Sequence, residues 1–130
     1  MKSREINERN LFPLLKHYHE LIIQSADVEK KFHHNPPETP NDEMEIRQAI
    51  EQSINVIKFL SDIANSVSTG KISFDAISKY SDLITNIFYG YKTFFATLTW
   101  KVNWQDSTGE IEIYENQFNN LLNKFPISNR

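Results

Sequence analysis

Hydrophobic positions recur at three- and four-residue intervals through four stretches of the chain. The longest stripe runs Phe74, Ile77, Ser81, Ile84, Phe88, Tyr91, Phe95, Leu98, Val102, with Ser81 its one polar member. Spacing of this kind holds side chains on one face of an α-helix. Continued from 74 to 102, it predicts one helix about 43 Å long at about 1.5 Å per residue. A helix of that length in a short chain needs other long helices to cover its oily face.

Three further stripes supply them. The first is Leu11, Leu14, Tyr18, Leu21, Ser25, Val28, Phe32, with Lys16, Glu20, Asp27 and Lys31 off the face and able to pair one turn apart. Asn10 is its expected N-cap and Pro13 falls in its first turn, where a missing N–H does no harm. A start nearer Ser3 would make Pro13 a kink. The run His33-His34-Asn35-Pro36-Pro37-Glu38-Thr39-Pro40 ends it. The second stripe is Ile46, Ile50, Ser53, Ile57, Leu60, Ala64, Val67, beginning at Asn41 or Asp42, with Asp62 among the residues on the opposite, polar strip. Gly70 is placed as its C′ glycine, and Ser73 as the cap of the helix that follows. A last, shorter stripe is Ile111, Tyr114, Phe118, Leu121, Phe125, stopped by Pro126. Ile111-Glu112-Ile113 also alternates as a strand would, but no partner strand is in view. The expected fold is all-α: an up-down-up-down four-helix bundle with long helices 2 and 3, helices at about 11–32, 42–68, 74–102 and 110–125, forming one domain over residues 1–130.

Length and charge narrow the function. A chain of 130 residues can bury enough surface for a core without staples. It has no cysteine, so neither disulfides nor thiolate metal sites hold it, and a reducing cytoplasmic setting is expected. Met1-Lys2-Ser3-Arg4-Glu5 leads into no apolar segment of the kind a signal peptide has. Net charge is −3 with the signs interspersed, which argues against nucleic acid as a partner; Lys30-Lys31 is too small a basic patch to alter that. The abundance of Ile, Asn and Lys fits an AT-rich coding sequence and suggests a bacterial or phage source.

Candidate chemistry is sparse. His17 and Glu20 lie three apart and Glu29 and His33 four apart, but the histidines all precede residue 35 and a bundle metal site needs ligands from several helices. No metal and no cofactor is expected. Pro37-Glu38-Thr39-Pro40 has the PxxP spacing without basic flanks and is read as a stiff linker. Leu83–Trp100 holds one charge, Lys92, but Thr85, Tyr89, Lys92, Ala96, Thr99 and Asn103 form a weakly polar back strip that a lipid-facing helix would not keep, so no membrane span is expected. Gly90 and Tyr91, with Phe94, mark the place where a ligand pocket could open. Tyr89, Tyr91, Trp100 and Trp104 are the best candidates for an interaction surface, because aromatics supply large anchors at interfaces.

Two resemblances carry implications. Arg9-Asn10 followed by His17 resembles the arginine–polar–spacer–histidine motif of HEPN ribonucleases, which implies catalysis with Arg9 stabilising a phosphorane and His17 moving a proton. The seven-residue spacer is longer than that motif's, Pro13 interrupts it, and the pair lies at the N-terminus rather than near the last helix. Residues 57–73, from Ile57-Lys58-Phe59-Leu60 to Thr69-Gly70-Lys71-Ile72-Ser73, resemble the middle of a bacterial helical family known as a domain of unknown function. That resemblance implies a helix–turn–helix corner at Gly70 and assigns no catalytic residue. The expected function is therefore a non-enzymatic helical protein-interaction module, such as a small bacterial or phage inhibitor or regulator of another protein, or a self-associating dimer. The HEPN-like ribonuclease or toxin is the alternative.

Overall fold

The computed structural model describes residues 5–125, and all regular structure among them is helical. Five helices follow one another: α1 (Leu11–Lys31), α2 (Pro40–Ser68), α3 (Phe74–Ser78), α4 (Ser81–Lys101) and α5 (Glu110–Leu122). Helix α2 is central, packing against α1, α4 and α5, while α1 also packs against α4. Ile46, Ile50, Ile57, Leu60 and Ile63 of α2 are fully buried, as the second stripe requires.

The single helix expected over 74–102 is instead two. Tyr80 leaves helical geometry at φ −111°, ψ 18°, and its N–H closes a tight turn on the Ile77 carbonyl at 2.9 Å. Ser78 turns its hydroxyl back onto the Phe74 carbonyl (2.9 Å), a local alternative to helix continuation that serine readily offers. Stacking at both ends fixes the bend: Tyr80 lies on Phe12 (5.4 Å between ring centroids) and Phe74 leans on Phe125 (5.9 Å). Ile77 and Ile84 are both fully buried on either side of the break, so the stripe keeps its face while the backbone does not keep its axis.

Helix ends follow local chemistry. Asn10 occupies the N-cap position of α1, but its side chain reaches backwards, accepting from the Asn7 N–H (2.8 Å) and donating to the Glu5 carbonyl (2.8 Å). An earlier start at Ser3 falls outside the described residues. Helix α2 starts at Pro40, before the expected Asn41 or Asp42. Thr39 and Asp42 form a reciprocal capping box, with Pro40 in the first turn where its fixed φ suits the helix. Pro40 therefore belongs to a helix, and Pro37–Pro40 is not a free extended ligand segment. At the other end of α2 the N–H of Lys71 reaches the Ser66 carbonyl (2.9 Å) and that of Gly70 reaches Val67 (3.1 Å), with Gly70 at φ 78°. These two bonds are a Schellman closure, and Gly70 adopts the left-handed geometry it demands. Ser73 caps α3 through the Ala76 N–H (3.2 Å).

Helix α4 closes in a related way with asparagine. Asn103 takes φ 55° and the Trp104 N–H returns to the Thr99 carbonyl at 3.0 Å. The ends of three helices are tied together here: Lys101 Nζ donates to the Phe32 carbonyl (2.8 Å) and Arg47 Nη2 to that of Val102 (3.2 Å). Helix α5 ends at Leu122, short of the expected Phe125, in two i to i+3 turns. Pro126, its expected stop, lies outside the described residues. Ile111-Glu112-Ile113 is helical, not a strand, and Ile113 faces solvent.

Candidate functional site

The four aromatic candidates part company. Tyr91 is fully buried, and its hydroxyl donates to Glu115 Oε2 at 2.7 Å across to α5. Burial, reinforced by that carboxylate and by Asp106, holds the phenol far above its ordinary range, so it stays neutral. Tyr91 thus belongs to the core and cannot present a surface. Trp104 is half-buried, its ring set edge-on against Phe95 at 5.3 Å. Tyr89 and Trp100 do face water, at 45% and 87% exposure.

Helical geometry explains the split. Tyr91, Phe88 and Leu98 fall on the buried face of α4, where Phe88 meets Phe118 of α5 at 4.7 Å. Tyr89 and Trp100 lie on the opposite side of the helix, about 160° away, and are joined by exposed Asn86, Thr93 and Ala96. That outer strip carries no charge between Asp82 and Trp100; Lys92 sits at its edge with its ammonium over the Phe88 ring (5.7 Å). A tryptophan left almost wholly in water on an uncharged strip is the least expected feature of the molecule.

The weakly polar back strip read from the sequence faces water over most of its length, with Tyr89, Lys92, Ala96 and Asn103 exposed and Thr99 half-buried; Thr85 is the exception. Thr85 is buried, and its Oγ1 has no hydrogen-bond partner among the described residues. Nor does a pocket open at Gly90. A Cβ built there would lie 2.6 Å from Ile22 Cγ2, so α1 already fills the space beside Tyr91 and Phe94.

Arg9 sits in the turn before α1, outside any helix, and His17 is exposed on α1 with its ring edge against Tyr18 (5.0 Å). Arg9 therefore does not share helix α1 with His17. Glu29 and His33 do meet, His33 Nδ1 to Glu29 Oε1 at 2.9 Å, as a one-turn pair with the imidazole exposed and the carboxylate half-buried. Among the described residues no group of three or more His, Asp or Glu side chains is placed to hold a metal ion. No helix is long and apolar enough to cross a membrane.

One feature escaped the sequence reading. Asp62, placed there on the polar strip of α2, is half-buried between two clefts, the larger about 400 Å³ and lined by Glu5, Asn65, Ser66, Thr69 and Lys71. Burial pushes its carboxyl above the usual range while Lys58, one turn away, pulls it back. Ile6, from the segment before α1 that has no periodic pattern to announce it, lines both clefts.

Comparison with protein-family models, with curated proteins and with solved structures finds no match to this chain.

Proposed function

We propose that this protein is a non-enzymatic helical interaction module that binds protein through the outer face of α4. The exposure of Trp100 carries the reading: burying a tryptophan against a partner removes a large apolar area from water, and such side chains anchor interfaces. The scaffold is read as an up-down-up-down four-helix bundle, with α3 and α4 together in the third position. It presents α4 on rigid neighbours, with Lys101 and Arg47 fastening the end that bears Trp100. A small bacterial or phage regulator or inhibitor of another protein, working in a reducing cytoplasm, fits this design and the cysteine-free composition.

Affinity capture from the native host with wild type and with Trp100→Ser tests the reading. Trp100 touches little of its own chain, so the variant keeps the helical circular-dichroism spectrum. Wild type retains a partner and the variant loses it. Equal capture by both would remove α4 from the binding surface.

A further inference from the structure

We propose that the occupant of the α4 face is a second copy of this chain, crossed antiparallel so that Tyr89 of each copy lies against Trp100 of the partner subunit. This rests on the reading of α4 as an interaction surface and names its partner.

The outer strip has a symmetry that suits self-association. Tyr89, Thr93, Ala96 and Trp100 are all exposed and spaced by four, three and four residues, large–small–small–large. The order of sizes and spacings is the same read in either direction. A two-fold axis demands a patch complementary to itself, residue i meeting j and j meeting i. With the axis passing between Thr93 and Ala96, the two small side chains cross at the centre and an aromatic pair closes each end.

Charge selects the antiparallel sense. The exposed charges along α4 are Asp82 in its first turn and Lys92 at the edge of the strip. A parallel pair would put Asp82 beside Asp82, Lys92 beside Lys92 and align the helix dipoles. The antiparallel pair sends the two copies of Asp82 to opposite ends, staggers the two copies of Lys92 and opposes the dipoles.

Area fits a modest dimer. At 87% exposure Trp100 offers roughly 200 Å² and Tyr89 about half that. With Asn86, Thr93, Ala96 and the strip edges the face reaches roughly 600–700 Å², just under the roughly 800 Å² each partner contributes to a standard interface. Association in the micromolar range is expected.

Sedimentation velocity from roughly 1 to 200 µM reads the mass. Wild type doubles in mass across that range, while Trp100→Ser and Ala96→Glu, both changed at exposed positions, stay monomeric with unaltered circular dichroism. Because the chain has no cysteine, introduced thiols report geometry without background. A mixture of Thr93→Cys and Ala96→Cys chains forms the disulfide-linked dimer faster than either chain alone. A wild type that stays monomeric throughout, or variants that dimerise as wild type does, overturns the proposal; faster linking of each chain with itself overturns the antiparallel sense. A monomeric wild type whose capture of a different protein is lost in Trp100→Ser would defeat self-association and leave the interaction reading intact.

Discussion

Gly90 of α4 lies directly against Ile22 of α1: a Cβ on Gly90 would sit 2.6 Å from Ile22 Cγ2. The isoleucine cannot step aside, because a β-branched side chain in a helix has essentially one χ1 rotamer. Glycine mid-helix forgoes about 1 kcal/mol of helix propensity relative to alanine. Here the close approach justifies that sacrifice.

Gly90→Ala therefore has a sign that depends on its neighbour. In the wild-type background overpacking outweighs the gain in propensity, and a net loss of about 1–2 kcal/mol is expected in urea melts. In an Ile22→Ala background the clash is gone and the same substitution stabilises by up to about 1 kcal/mol. Destabilisation of equal size in both backgrounds would mean that Ile22 is not what alanine meets.

What the sequence made legible follows from what side-chain periodicity encodes. The buried faces of α1, α2 and α5 were readable because a stripe reports which side of a helix is dry. Gly70 and Ser73 were readable because they act within one turn of their own position. The break at Tyr80 was not: the stripe is unbroken across it, and the rings that fix the bend, Phe12 and Phe125, are distant in sequence. The capping box of α2 was present in Thr39-Pro40-Asn41-Asp42 but hidden by reading Pro40 as a terminator rather than a first-turn residue. On α4, the sequence could nominate the aromatics but not separate Tyr91 from Tyr89, since the rotation of α4 against its neighbouring helices decides which is buried.

Thr85 offers a gain in stability. Its hydroxyl is buried without a partner among the described residues, whereas its methyl is well placed in the apolar interior. A buried polar group left unpaired forfeits its hydration for nothing. Thr85→Val keeps the shape and removes the orphan, so it is expected to raise stability by about 1 kcal/mol in thermal or urea unfolding. A loss of more than about 1 kcal/mol would show that the hydroxyl is bonded after all.

Asp62 gives a pH signature. Its folded carboxyl is pushed above the ordinary value of 3.8 by burial, with Lys58 opposing. A carboxyl that holds its proton more tightly when folded makes the native state the better proton binder. Stability then falls as pH rises from 3.8 through the raised folded value, and the loss is complete above it. Asp62→Asn removes this dependence. It is expected to melt higher than wild type at pH 7, with the advantage shrinking as the pH is lowered through that window. A constant difference from pH 3 to 7 would mean that ionisation of Asp62 is not the cause.

Asp106 predicts the opposite slope. Gly109 is the N-cap of α5 and brings no side chain, so Asp106 does the capping from three residues away. Its Oδ1 accepts from the Thr108 and Gly109 N–H groups (3.2 and 3.1 Å) and the Thr108 hydroxyl (3.0 Å), and its Oδ2 accepts from the Ile111 N–H (3.1 Å). Partial desolvation by the turn works to raise its carboxyl, but the hydrogen bonds from Thr108, Ile111 and Gly109 pull further the other way and leave it below the ordinary value. Because the folded group gives up its proton more readily, its contribution is fully present above the unfolded value of 3.8 and is lost as pH falls through the folded one. Asp106→Ala should therefore lower the melting temperature at pH 7 and lose that deficit in strong acid, where the wild-type carboxyl is protonated too. Asp106→Asn keeps one acceptor oxygen and should fall between the two at pH 7. If alanine and wild type melt together at pH 7, the start of α5 is held by something other than this carboxylate.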